Sequence, residues 1–252
     1  MTKPSFDAIL PVRGTGTRLY GKPLQLIDIK NEVTILEYLV KYIKTSECIE
    51  DIILAIANSK GNELFADLAQ KNGWKYMFGD EFDVLDRMIQ AANQFGSEVI
   101  FRGSTESPFL YYHNLDTLYQ RHVEGSYDLS KISSLPEGSG YSLNNSEALR
   151  ICHKKGTSRH RSELVNSYIF DNQDDFKILL QDPPDELKRP EVRITVDYPE
   201  DLVFCRQVYN ALKGDEKLIE IKDIIEFWDK NPIIRKPMEE IGIDWGHGRL
   251  WK

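Results

Sequence analysis

Phe6-Asp7-Ala8-Ile9-Leu10-Pro11-Val12 runs directly into Arg13-Gly14-Thr15-Gly16-Thr17-Arg18-Leu19-Tyr20-Gly21-Lys22-Pro23-Leu24. The first part is a short, almost wholly apolar run, and it stops at a loop of glycines, hydroxyls and cations. Outward from it the same grammar repeats. Thr34–Ile43 places Ile35, Leu36, Leu39, Val40 and Ile43 on one helical face. Asp51–Ala57 reads as a strand, Asn62–Gln70 as a helix and Trp74–Phe78 as a strand. Asp83–Phe95 reads as an amphipathic helix, Val99–Arg102 as a strand and Leu110–Val123 as a helix. Apolar strands that alternate with helices predict an α/β fold in three layers, a mostly parallel sheet covered on both faces. Ligands in such folds bind beyond the carboxyl ends of the strands. Functional residues are therefore expected in Arg13–Lys22, Gly79–Arg87 and Arg102–Pro108.

The rest of the chain is less regular. Residues 126–160 are rich in Ser and Gly and predict an irregular excursion or a hairpin. Order returns in Ser162–Phe170 and in Glu191–Val196, which reads as a strand. Pro199 then opens a helix over Glu200–Leu212, and a last helix over Ile221–Asp229 ends before Asn231-Pro232. Residues 233–252 form an aromatic extension with Trp245, His247 and Trp251, expected to dock or to face a second copy. Residues 1–252 are expected to make a single domain.

Of the 252 residues, 41% are hydrophobic, enough for a core without disulfides or a structural metal. A balance of 32 basic to 40 acidic residues, net -8, argues against a nucleic-acid binder and a polybasic membrane patch. No apolar run is long enough to span a bilayer and the N-terminus does not read as a secretory signal, so a cytoplasmic location is expected. Cys48, Cys152 and Cys205 form no metal pattern and are expected to be free, buried thiols. His113 and His122 are expected on one helix, at the surface.

The loop after the first strand carries the strongest chemical signal. Small residues let backbone N–H groups approach phosphate oxygens. Arg13 and Arg18 can grip phosphate as forks and Lys22 as a point charge. The loop is not G-x-x-x-x-G-K-[ST], because Pro23 follows Lys22. A solvated glycine turn with incidental cations is the plainer alternative.

Pro11, Arg13, Arg18, Leu19, Gly21 and Lys22 fit P-A-R-x-x-S-x-R-L-P-G-K, and here the chain resembles the cytidylyltransferases that make CMP-activated acidic sugars. These are the CMP-sialic acid and CMP-Kdo synthetase group, and the branch it resembles is that of spore coat polysaccharide biosynthesis protein F. Gly16 stands where that motif has Ser and Tyr20 where it has Pro. Asp83-Val84-Leu85-Asp86-Arg87 with Ala91-Ala92 is similar to the branch's D-V-L-D-R-x-x-x-A-A. Asp83 also reads as a plain helix N-cap. Arg102-Gly103-Ser104-Thr105-Glu106-Ser107-Pro108 stands against R-x-T-G-D-C-P, with Glu106 in place of the metal-binding Asp. Glu is also a hard oxygen ligand, one methylene longer; a surface Glu in a turn is the alternative. Val192-Arg193-Ile194-Thr195-Val196-Asp197-Tyr198-Pro199-Glu200-Asp201-Leu202 looks like V-R-x-T-V-D-T-P-E-D-L, with Asp197 ending a strand and Asp201 serving the helix terminus. Ser162–Phe170 is a fainter match to R-E-H-V-T-P-Y-I-Y that lacks its Arg and His, which implies a different acceptor, with Arg159, His160 and Arg161 just upstream.

The resemblance implies a Rossmann-like nucleotide-diphospho-sugar transferase fold (GT-A-like) and a CTP-dependent enzyme that transfers CMP to a small anionic acceptor and releases pyrophosphate. It implies catalytic Arg13, Arg18 and Lys22. Nucleotide contacts would come from Pro11, Val12, Arg13, Gly14, Thr15, Gly16, Lys22, Asp83, Arg87 and Arg102. The acceptor would meet Arg161, Glu163 and Arg193, and Mg²⁺ would be held by Glu106 and Asp197. It also implies a homodimer. A metal-dependent nucleotide-sugar glycosyltransferase and a nucleotide-binding relative without turnover are the alternatives.

Overall fold

The computed structural model describes residues 5–214 and 217–240. In chain order the strands are β1 (Phe6–Val12), β2 (Leu26–Asp28), β3 (Val33–Thr34), β4 (Ile49–Ala57), β5 (Lys75–Gly79), β6 (Val99–Gly103), β7 (Leu129–Ile132), β8 (Tyr141–Asn145) and β9 (Ile178–Gln181). β2 and β3 pair with each other; the others form a seven-stranded sheet in the order β5-β4-β1-β6-β8-β7-β9. β1 pairs parallel with β4 and β6, β4 with β5, and β7 with β9, whereas β8 runs antiparallel between β6 and β7. The mostly parallel sheet is as expected. From β1 the chain winds outward to β4 and β5 and then crosses to β6 on the other side. The crevice at the carboxyl ends of β1 and β6 is therefore the switch point where ligands of such sheets sit.

Two apolar clusters make the layers. Phe6, Ala8, Leu10 and Val12 face one side, with α1 (Ile35–Ile43), α2 (Glu63–Asn72), α4 (Leu115–Glu124), α7 (Pro199–Leu212) and α8 (Ile221–Lys230). Ile9, Ile53, Ala55 and Ile100 face the other, with α3 (Val84–Phe95), α5 (Ser146–Lys155) and α6 (Ser167–Asp171). The helices start where the sequence supplies caps. Thr34 and Glu37 close a reciprocal capping box on α1, and Asp83 accepts from the Asp86 N–H at 2.8 Å to open α3.

Several expectations fail for physical reasons. Of the two readings of the 126–160 stretch the hairpin holds and the excursion fails: β7 and β8 pair antiparallel within the main sheet, and α5 follows. Its strands carry Ser130, Ser142 and Asn144, all buried, so their polarity hid strands that a hydropathy reading needs. Glu191–Val196 makes only a single bridge, Glu137 to Arg193, although Val192, Ile194 and Val196 are buried. Its backbone bonds go to loops, with Glu137 N–H donating to the Val192 carbonyl and Val196 N–H to the Glu106 carbonyl. The helix expected from Leu110 starts at Leu115; Leu110 and Tyr111 are buried and Tyr111 N–H donates to the Ser139 carbonyl. A further helix, α9 (Pro232–Glu240), opens at Pro232, which lacks the N–H that a first helical turn does not use. His122 is buried, its Nδ1 2.8 Å from Ser130 Oγ, and His113 precedes the helix. The three cysteines are free and buried. Trp245, His247 and Trp251 lie outside the described residues.

Candidate active site

The loop after β1 is pinned at its base. Gly14 N–H donates to Asn62 Oδ1 at 2.7 Å, and the fully buried Asn62 amide in turn donates to the Ala57 carbonyl and Ser59 Oγ. Gly21 N–H donates back to the Gly14 carbonyl at 2.8 Å, which closes the loop. Gly16 is required by this path: a Cβ there would stand 2.3 Å from the Leu19 carbonyl oxygen.

The closed loop delivers its cations to carboxylates from elsewhere in the chain. Lys22 Nζ lies 2.6 Å from Asp197 Oδ1 and 3.9 Å from Glu106 Oε1. Arg18 reaches the same Asp197 oxygen at 3.3 Å and lies over the Tyr198 ring, 4.7 Å from its centroid. The two carboxylate segments are tied together, because Val196 N–H donates to the Glu106 carbonyl at 3.1 Å. Burial alone would raise the Asp197 pKa, but hydrogen bonds from Lys22 and Arg193 hold it below the ordinary carboxylate range.

Arg193 stands behind this pair rather than in front of it. It is 3% exposed and donates to Asp201 through Nε, to Asp197 Oδ2 at 2.7 Å and to Glu137 Oε1 at 2.7 Å. Expected at the acceptor, it is instead enclosed by carboxylates and positions Asp197. Asp201 is fully buried and accepts from the Asp197 and Tyr198 N–H groups at 2.8 and 2.9 Å, the helix-terminus role read from sequence. Gly138, next to Glu137, has φ +100°, and a Cβ there would stand 2.8 Å from Thr195 N and from Ser107 Oγ.

A second group of cations lines the same cleft. Arg13 NH2 is 3.5 Å from Glu163 Oε2, and Arg102 donates to the Glu163 carbonyl at 2.7 Å. Arg87 is 1% exposed and donates to the Asp80 and Glu81 carbonyls. Burial, with the Arg13 charge nearby, pushes Arg87 down to about 10. Nε of both Arg87 and Arg102 is buried without a hydrogen-bond partner among the described residues. An anion in the cleft beside them would relieve both costs.

A cleft of about 930 Å³ gathers most of the expected residues: Pro11, Arg13, Gly14, Thr15, Gly16, Arg18, Lys22, Arg87, Arg102, Glu106, Glu163 and Asp197. Val12, Asp83, Arg161 and Arg193 do not line it. Val12 is core. Asp83 caps α3 through one oxygen and meets His153 Nε2 at 2.9 Å through the other. Arg161 lies 3.8 Å from Asp83 and donates to the His153 carbonyl. Sequence reasoning passed over Asn62 and Glu137. Asn62 follows a strand, so the rule that led to the other loops reaches it too; Glu137 sits in the stretch read as an excursion or a hairpin, and nothing in the sequence marked it.

Cations that can neutralise several phosphates, facing a carboxylate pair at a sheet's switch point, are the equipment of a nucleotidyltransferase. The chain belongs to the cytidylyltransferase family: a family model described as Cytidylyltransferase matches residues 8–227. It is accordingly a CTP-dependent nucleotidyltransferase. It is 29% identical over 229 residues to an uncharacterised protein of Methanocaldococcus jannaschii, covering 90% of this chain and 91% of that one. Spore coat polysaccharide biosynthesis protein SpsF of Bacillus subtilis is 24% identical over 226 residues, 89% of this chain and 94% of that one. Among solved structures, a cytidylyltransferase from Leptospira borgpetersenii superposes with a TM-score of 0.79 at 22% identity, over 91% of this chain and 96% of that one. The CMP:2-keto-3-deoxy-manno-octonic acid synthetase complexed with CTP superposes with a TM-score of 0.62 at 12% identity, over 82% and 99%. At these identities the two structures speak for the fold. Among the described residues no helix is long and apolar enough to cross a membrane.

Proposed function

We propose that the enzyme transfers CMP from CTP to an acidic sugar or a phosphorylated or phosphonate acceptor and releases pyrophosphate, in the synthesis of a cell-surface glycan precursor. The observation that carries the reading is the ammonium of Lys22 set between Asp197 and Glu106, with Arg18 beside it. The names of SpsF, a polysaccharide biosynthesis protein, and of the CMP-sugar synthetase complexed with CTP agree with it.

An acceptor oxygen attacks the α-phosphorus; the new P–O bond forms as the bond to the bridging oxygen breaks, and the electron pair leaves with pyrophosphate. Arg13, Arg18 and Lys22 hold the phosphates and offset charge on the leaving group. The chain does little covalent work: it positions and neutralises. The donor set fits Mg²⁺, since Glu106 and Asp197 already gather hard carboxylate oxygens around one cation, and Mg²⁺ takes one or two carboxylates plus substrate phosphate. When bound, the ion would polarise phosphate oxygens and offset charge as it develops. Glu163, facing Arg13, is proposed to border the acceptor.

The test is pyrophosphate release with each of the four nucleoside triphosphates against a panel of acidic sugars and phosphorylated acceptors. Release that depends on CTP and on one acceptor class is expected. No release with any pair, or preference for another nucleotide, defeats the reading. The enzyme is further proposed to be a cytoplasmic homodimer. Ile233 on α9 is 84% exposed and offers apolar surface to a second copy. A monomer by light scattering at micromolar concentration ends that proposal.

A further inference from the structure

Arg193 is shared among three carboxylates, and the sharing is unequal. Its Nε and one terminal nitrogen, Nη2, grip the two oxygens of Asp201 at 3.1 Å each, a fork that fixes the plane of the guanidinium. Nη2 also donates to Asp197 Oδ2 at 2.7 Å. The other terminal nitrogen, Nη1, donates to Glu137 Oε1 at 2.7 Å. Asp197 thus gives Arg193 one oxygen, and its second, Oδ1, is turned to Lys22 and Arg18. Asp201 and Arg193 are buried, whereas Glu137 is half-buried and lines the cleft together with Glu106 and Asp197.

The backbone that carries Glu137 is fixed on both sides. Glu137 N–H donates to the Val192 carbonyl at 2.8 Å, and its own carbonyl accepts from Ile194 N–H at 2.9 Å, the two bonds that make its bridge to Arg193. Gly138 then packs against both carboxylate segments. A Cβ there would meet Thr195 N on the Asp197 side and Ser107 Oγ on the Glu106 side, each at 2.8 Å. Ser139, fully buried, closes the turn by donating from Oγ to the Pro136 carbonyl at 2.8 Å. Glu137 therefore enters the cleft from a backbone wedged between the two segments.

A carboxylate paired through both oxygens with a guanidinium is held more tightly than one paired through a single oxygen. Without Glu137 on Nη1, Asp197 would gain by turning its second oxygen onto that nitrogen. Oδ1 would then leave Lys22 and the cleft. Resting on the proposed function, we infer that Glu137 is a positioning residue for the reaction: by occupying Nη1 it keeps Asp197 Oδ1 facing the cleft, available to Mg²⁺. It acts through Arg193 and Asp197. Among the described residues no group of three or more metal-ligating side chains occurs, so Glu137 does not join Glu106 and Asp197 as a third ligand.

The test begins with the ligand-free enzyme. The NMR signal of the Lys22 ammonium reports its contact with Asp197 Oδ1, and it is compared in wild type, Glu137→Ala and Glu137→Gln. Glu137→Ala should displace the signal. Glu137→Gln, whose amide oxygen still accepts from Nη1, should restore it. Glu137→Met, of similar length without the oxygens, should behave as Glu137→Ala, so the inference does not hang on one variant's folding. A wild-type Lys22 signal in folded Glu137→Ala and Glu137→Met overturns the inference, and so does a Glu137→Gln protein that matches Glu137→Ala.

Calorimetric titration of CTP with and without Mg²⁺ reads the consequence. Glu137→Ala should lose roughly tenfold of the Mg²⁺-dependent gain in CTP affinity, the size of one charge-assisted hydrogen bond. In an Asp197→Asn background the same substitution should cost nothing further. Equal losses in both backgrounds would place Glu137 outside the path through Asp197 and overturn the inference. A wild-type enzyme whose CTP binding ignores Mg²⁺ counts against the proposed function instead, and the Lys22 signal still decides whether Glu137 positions Asp197.

Discussion

Lys22 Nζ and Asp197 Oδ1 meet at 2.6 Å across 175 residues of sequence, joining the loop after β1 to the segment that opens α7. The contact gives Lys22→Met a double signature. Removing a cation from phosphates in an enclosed site costs a few kcal/mol, so kcat/KM for CTP should fall roughly a hundredfold, and Arg18→Ala should act in the same direction. Asp197, whose pKa is held low in the fold, contributes stability that is present above its unfolded value and lost as pH falls through the folded one. Without Lys22 that contribution shrinks, so the variant should lose less stability on acidification than the wild type. Near-normal kinetics in both variants would remove the phosphate role of the loop.

Gly16 should resist the residue its relatives' motif prefers. The motif has Ser there, but in this chain a Cβ would stand 2.3 Å from the Leu19 carbonyl oxygen. Gly16→Ser should therefore shift the loop, raising KM for CTP while changing Tm little, since of the loop's side chains only Leu19 and Leu24 pack against an apolar cluster, and only at its edge. Unchanged KM in Gly16→Ser would mean that the loop path is not set at this residue.

His122 gives a pH signature independent of catalysis. Burial pushes its pKa down to about 4, against the ordinary 6.5, so the unfolded chain binds the proton more readily. Stability tied to His122 is thus complete above the unfolded value and declines as pH falls toward the folded one. Between pH 7 and pH 5 this amounts to about 2 kcal/mol. Urea unfolding at the two pH values should show a smaller acid loss in His122→Leu than in the wild type; equal losses would mean that His122 stays uncharged for another reason or not at all.

The legible parts of the molecule are those where residue type and function coincide. Phe6–Val12 and its loop announced a parallel sheet and a cation-lined cleft because apolar β residues and clustered cations leave few other uses. Asp197 and Glu106 were marked by motif, and they meet at one ammonium even though the strand expected before Asp197 makes only a single bridge. The hairpin of β7 and β8 was legible only as an alternative to an irregular excursion, since Ser130, Ser142 and Asn144 are buried polar residues and only the sheet gives them partners. Arg193 was misread for a related reason. A cation near a site reads as a ligand group until the chain brings Asp197, Asp201 and Glu137 around it.

The central claim, a CTP site completed by a divalent ion on Asp197 and Glu106, is tested most directly by calorimetric titration of CTP with and without Mg²⁺. Wild type, Asp197→Asn and Glu106→Gln are compared. The amide variants keep shape and lose the charge that the ion needs. Mg²⁺ should tighten CTP binding in the wild type, and that gain should vanish in folded Asp197→Asn and shrink in Glu106→Gln. The same Mg²⁺ dependence in all three proteins would contradict the account.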